Sequence, residues 1–327
     1  MSGSASPAPA SPDRRGRAAR WVIIIAAVYI AALCYIDRDR NILSRLADMA
    51  APLGACALLV LLSYLLRYLR WRSILRAQGF PLPQWRQGLL AYLAGFAFTA
   101  SPGKAGEPLR IRYFGWLHVP ARTTLSTFIF ERAIDLLVIT LLAIGAATLV
   151  PVFGLLTVII LLVLSALVAF ACWSPLARAS RHVIDLVPGR PLRQLGHFLV
   201  DGAGALGPLM RPGLLASSSS WGVGAWGLTA IAFAWLCHTS GIDLPWPLAL
   251  GIYPLAMLVG ALSFVPGGVG TTEASIVMML NASGVDTDAA LAIAIGIRLV
   301  SLWLAVLVGV LAMIALESAG SAPRQGH

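Results

Sequence analysis

The chain reads as an all-α polytopic membrane protein, and three observations point there. Hydrophobic residues fill 58% of its 327 positions, and mean hydropathy is +0.82. Only 12% of residues are charged, roughly half the ~25% of a soluble globular domain, too few to coat a water-soluble body. The apolar residues also fall in long runs, and in hydrocarbon such runs satisfy their backbone as helices. Together these exclude a cytosolic enzyme, a disordered chain and a secreted disulfide scaffold.

Residues 1–20 are rich in Ser, Pro and Ala and end in Arg14, Arg15, Arg17 and Arg20. Small residues and prolines bury no core, so a disordered cytoplasmic tail is expected. The apolar run 21–36 resembles a signal-peptide core in length. Asp37-Arg38-Asp39-Arg40 follows it, however, and more apolar runs come after, so it is taken as the first span. A second span covers about 52–69 and ends in Arg67, Arg70, Arg72 and Arg76. Residues 84–101 are apolar but stop at Ser101-Pro102-Gly103, and 104–118 then mix charged and apolar side chains. Spans are expected at about 122–149 and 152–173, then a surface loop with a short amphipathic helix over 176–212, then a span at about 217–240. Residues 246–264 stop at Pro266-Gly267-Gly268-Val269-Gly270, residues 271–283 follow, and a final span covers about 287–316 before a short tail, 317–327. The expected architecture is a single membrane domain, 21–316, with about six spanning helices and two re-entrant helical hairpins.

The hairpins follow from topology and from an internal repeat. Basic residues favour the cytoplasmic side, and an inside N-terminus puts Arg14 to Arg20, Arg67 to Arg86 and Arg178 to Arg211 there. That layout requires 84–118 and 246–284 to enter the membrane and return. The two breaks are alike. Pro102-Gly103-Lys104-Ala105-Gly106-Glu107 and Pro266-Gly267-Gly268-Val269-Gly270-Thr271-Thr272-Glu273 each run from Pro-Gly through a further Gly to an acid. Each is followed by a long apolar helix bearing one Arg, and Glu107 to Arg132 and Glu273 to Arg298 span the same distance in sequence. Pro and Gly break helices. Inside a bilayer broken backbone survives only within protein or beside a wet cavity, and paired broken segments point to a transporter's substrate site. The first repeat is expected over about 52–149 and the second, inverted, over about 217–316. Read singly, each break is also compatible with an ordinary tight loop between short spans.

Arg132 falls about 15 Å into its helix and Arg298 about 16 Å, both near the middle of a ~30 Å core. Charges at that depth need partners or a polar cavity. Glu131 and Asp135 share a helix face, and Arg132 is placed to pair with Asp135. Two readings stand side by side. In the first, Glu107 and Glu273 cap half-helices and are neutralised by Arg132 and Arg298, with no substrate involved. In the second, helix N-termini at the breaks, with Lys104, Arg110, Arg112, Arg132 and Arg298, bind a phosphate, while Glu107, Glu131, Asp135 and Glu273 pair those cations or carry protons.

Other residues carry less. Of the 24 basic residues Lys104 is the one Lys. The run from Arg67 to Arg72 and Trp221, Trp226 and Trp246 are expected at headgroup depth. Cys34, Cys56, Cys172 and Cys237 are dispersed in apolar stretches, and the five histidines lack ligand spacing, so no disulfide framework, metal site or cofactor is indicated.

Leu69-Arg70-Trp71-Arg72 to Gly79, then Pro102 to Arg110, then Glu131-Arg132-Ala133-Ile134-Asp135, resemble the lysylphosphatidylglycerol synthase transmembrane region, or flippase-like membrane family. Pro266 to Glu273 followed by Arg298 is similar to that family's C-terminal signature, and the resemblance covers about 21–316. It implies a bacterial inner-membrane protein, here a stand-alone region without the soluble synthase domain, that handles lipids. The expected function is a lipid translocase moving an anionic lipid or lipid-linked headgroup past a mid-membrane polar site, with no nucleic acid partner and no catalytic residue. The alternatives are a membrane-embedded transferase acting on a lipid-linked substrate, and a non-catalytic partner that presents lipid to a separate lipid-modifying enzyme.

Overall fold

The computed structural model describes residues 12–320, apart from positions 83, 101–105, 151–152, 173, 187–188, 190–192, 194–195, 197–205 and 264. Every regular element among the described residues is helical. The helices are α1 (Pro12–Arg40), α2 (Ile42–Asp48), α3 (Ala50–Ala77), α4 (Trp85–Ala94), α5 (Gly106–Trp116) and α6 (Ala121–Ala143). They continue with α7 (Phe153–Cys172), α8 (Ser174–Asp185), α9 (Pro212–Thr239), α10 (Trp246–Leu262), α11 (Thr271–Ala282), α12 (Thr287–Arg298) and α13 (Leu304–Gly320).

Among the described residues four stretches are long and apolar enough to cross a membrane: Ala50–Ala77, Ala121–Leu149, Pro212–Thr239 and Thr287–Ser318. They match four of the six expected spans. The other two expected spans are also helices, but their described apolar runs, Arg20–Tyr35 and Phe153–Ala166, are shorter. Both display bare apolar side chains, among them Ile23, Val28, Leu155 and Leu162, as surfaces facing lipid do. Residues 12–20, expected within a disordered tail, form the first turns of α1. The expected amphipathic helix in the surface loop is α8.

Both segments around the breaks are pairs of short helices. At 1.5 Å per residue α4 and α5 reach about 15–17 Å, and α10 and α11 about 25 and 18 Å, each less than the ~30 Å hydrocarbon core. Pro102, Gly103 and Lys104 lie outside the described residues. At the second break Pro266–Gly268 forms a 3₁₀ turn, and Gly267, Gly268 and Gly270 all have positive φ (63°, 64° and 83°), a region L-residues avoid. A Cβ on Gly267 would lie 3.2 Å from the Cα of Ala100. The second break therefore packs against the last described residue before the first.

Two apolar cores flank the centre. One gathers Phe130, Ile134, Phe233, Tyr253, Ile276 and Ile293 from α6 and α9–α12. The other gathers Tyr68, Trp71, Tyr92, Phe114 and Ala312 from α3–α5 and α13. Helices α3 and α9 pack along one another between them. Leu299–Trp303 forms a π-helical turn joining α12 to α13.

Candidate functional site: a buried arginine cluster

The periodicity of α6 places Glu131 and Asp135 one turn apart on its inner face, where both are buried. Four arginines surround them. Arg70 on α3 has no exposed surface, and its Nη2 reaches Glu131 Oε1 at 3.0 Å and Asp135 Oδ1 at 2.8 Å. Arg67, one turn earlier, lies 3.6 Å from Asp135 Oδ2. Arg110 on α5 reaches Glu131 Oε2 at 3.2 Å. Arg132 Nη2 lies 2.9 Å from Asp135 Oδ2 and 3.5 Å from Glu131 Oε2, the pairing its spacing predicts. Two neutral donors complete the carboxylates: Tyr92 Oη to Glu131 at 2.8 Å and Trp226 Nε1 to Asp135 at 3.0 Å.

Aromatic faces cover part of this charge. Arg67 stacks 4.3 Å from the Trp226 ring and Arg110 4.1 Å from the Tyr92 ring, close enough for cation–π attraction. The Arg110 side chain crosses Gly95, where a Cβ would fall 2.4 Å from its Nε, so only glycine admits it. Arg132 is the opening of the cluster: its side chain is 35% exposed, while those of Arg67, Arg70, Arg110, Glu131 and Asp135 are all below 10%.

The second half holds a simpler pair. Glu273 sits in the first turn of α11 and accepts the Gly270 N–H at 2.8 Å, a capping contact that closes the break. Its other oxygen accepts Arg298 Nε at 3.0 Å. Arg298 Nη2 donates to the Gly267 carbonyl at 2.5 Å, and Nη1 lies 3.8 Å from Met257 Sδ. With 1% of its surface exposed, Arg298 ties the break to the last long helix. Tyr64 on α3 donates to the Ser301 carbonyl in the adjoining π turn at 3.1 Å, and Arg67 lies one turn further on. One helix thus reaches the first site and the turn beside the second.

Of the residues expected to act together, Arg110, Glu131, Arg132 and Asp135 converge, whereas Glu273 and Arg298 form their own pair. Arg112 turns elsewhere, to Glu317 at 3.3 Å. Lys104 and the side chain of Glu107 lie outside the described residues. Sequence reasoning placed Arg67, Arg70 and Trp226 at headgroup depth. Instead they are buried partners of Glu131 and Asp135, because α3 runs on to Ala77 and carries both arginines inside the bundle. Trp246 is exposed. Tyr92 carried no signal beyond its apolar surroundings.

None of the curated proteins compared with the chain matches it. The family model described as the lysylphosphatidylglycerol synthase TM region matches residues 17–309. That match takes in both breaks, the arginine cluster and the start of the last helix, so the chain belongs to the lysylphosphatidylglycerol synthase transmembrane region family, membrane proteins related to lipid modification or translocation.

Proposed function

We propose that the chain is a lipid translocase that moves an anionic lipid or lipid-linked headgroup across a bacterial inner membrane, with both termini cytoplasmic. One observation carries this reading: a buried cluster in which, among the described residues, four guanidiniums outnumber two carboxylates, open at Arg132. A purely structural ion-pair network tends toward neutrality, because uncompensated buried charge is costly. An excess of cations suits a site that an anion completes. Arg67, Arg70, Arg110 and Arg132 are the proposed phosphate contacts, and Glu131 and Asp135 hold them in place. Glu273 and Arg298 are assigned to holding the second break closed.

Alternating access through an inverted repeat, with six spans and hairpins at 84–118 and 246–284, fits this role. The short helices on either side of each break and the packing of Gly267 on Ala100 support it. The test is transport of labelled lipids in liposomes containing the full chain. Anionic lipid should equilibrate between leaflets faster than in empty liposomes, and Arg132→Ala should slow it by about tenfold or more, the factor for losing ~1.4 kcal/mol. An anionic lipid rate no faster than that of empty liposomes, with folded protein present, overturns the reading.

A further inference from the structure

The charge balance of the cluster also bears on which headgroup it takes, an inference that rests on the proposed lipid-binding role of this site. Among the described residues the four arginines and two carboxylates leave two positive charges unmatched. Except for Asp135 Oδ2, which is ion-paired with Arg132 but has no hydrogen bond, the acceptors are already engaged. Glu131 receives Arg70, Tyr92 and Arg110, and Asp135 receives Arg70 and Trp226, with Arg67 and Arg132 close by. The donors are not. Arg70 Nε and Nη1 and Arg132 Nε are buried without a hydrogen-bond acceptor. On α9 the hydroxyl of Ser218 is likewise buried and unpartnered. Gly222, one turn on from Ser218, is the residue that Arg70 Nη1 approaches, at 2.9 Å from where a Cβ would stand. Unpartnered donors thus cluster among α3, α6 and α9, beside the opening at Arg132.

We infer that the ligand of this cluster is a phosphomonoester dianion carried on a lipid, rather than the phosphodiester of an ordinary glycerophospholipid. A dianion matches both unpaired charges, whereas a monoanion leaves one in a low-dielectric site. A terminal phosphate also presents three non-bridging oxygens, against two in a diester, to donors that lack acceptors. Arginine cannot lose its proton in a protein, so the excess among the described residues is fixed and suits a ligand that meets it.

The experiment measures binding of three probes to the purified full chain in zwitterionic nanodiscs at pH 8: phosphatidic acid, phosphatidylglycerol with the same acyl chains, and inorganic phosphate. Phosphatidic acid should bind about tenfold or more tightly than phosphatidylglycerol. Arg132→Gln removes one positive charge at the exposed rim and should bring the two lipids near parity, while Arg132→Lys should keep the preference. Melting of both variants in detergent should stay close to that of the parent. Inorganic phosphate binding far more weakly than phosphatidic acid supports the lipid as the source of the dianion. Equal binding of phosphate and phosphatidic acid overturns that part. Equal binding of the two lipids to the parent protein overturns the monoester assignment but leaves the anionic-lipid reading standing. Binding of none of the three overturns both.

Discussion

Arg70 is the residue on which the cluster turns, since one buried guanidinium holds Glu131 and Asp135 together. Removing it takes a buried charge-assisted hydrogen bond from each carboxylate, worth about 1.5–3 kcal/mol apiece. Arg70→Ala should therefore lower the melting temperature in detergent severely or abolish a cooperative melt. Arg112, about a third exposed opposite Glu317, should cost less than ~1 kcal/mol on replacement by Ala. Glu131, Arg132 and Asp135 were legible in the sequence because three charges inside a long apolar run must face inward together. Arg67 and Arg70 were not, because arginines beside Tyr and Trp near the end of an apolar run read equally as an interface anchor. The clue that separates the two is the length of α3. Its 28 residues reach about 42 Å, so the helix outruns the ~30 Å hydrocarbon core and its arginines need not sit at the boundary. Tyr92 and Trp226 were invisible as hydrogen-bond donors, since an aromatic residue in an apolar helix shows nothing of what its polar tip meets.

At the scale of elements, the second break is a device built from glycines, and two of them separate steric from conformational cost. Gly267 and Gly270 both hold positive φ. A Cβ at Gly267 presses on Ala100 at 3.2 Å, whereas one at Gly270 meets nothing within 4 Å. Gly270, at φ 83° and ψ −48°, lies outside the left-handed well, so Gly270→Ala should cost about 1–3 kcal/mol through the backbone alone, whereas Gly267→Ala, at φ 63° and ψ 6°, adds the contact with Ala100 to a backbone cost of about 1–2 kcal/mol. Thermal melts of the two variants in one detergent measure these losses, and a Gly267→Ala loss no larger than about 2 kcal/mol would mean that the contact with Ala100 yields freely. The Pro-Gly breaks were legible because proline and glycine act locally on the backbone. The clasp formed by Arg298, Glu273 and the Gly267 carbonyl was legible in its charged half through the Glu-to-Arg spacing. Its backbone half was not, since no sequence pattern indicates which carbonyl a guanidinium will find. Nor does the sequence mark the π turn after Arg298, which no Pro or Gly announces.

For the whole molecule, composition alone established the class: few charges and long apolar runs leave little but a helical bundle in lipid. How the bundle closes on itself was out of reach, because the meeting of distant segments depends on packing that single-chain periodicity does not encode. The last long helix shows this. Near its start Asp288 pairs with Arg40 of α1, and near its end Glu317 pairs with Arg112 of α5. Neither partnership follows from spacing. The contact of the second break with Ala100, just ahead of the first, is of the same kind, and it has a practical use. The Cβ of Ala100 lies 3.6 Å from the ideal Cβ position at Gly267, within the ~3.5–4.5 Å that a disulfide requires. In a chain whose Cys34, Cys56, Cys172 and Cys237 are replaced by Ser, Ala100→Cys with Gly267→Cys should cross-link on oxidation. If the breaks part during each crossing, the oxidised protein should stop moving lipid and recover in dithiothreitol, read in the same liposome assay. An undiminished rate in the cross-linked protein would show that the two breaks travel as one body. A close approach of two small residues is thereby a place to fit a bolt that oxidant closes and reductant opens.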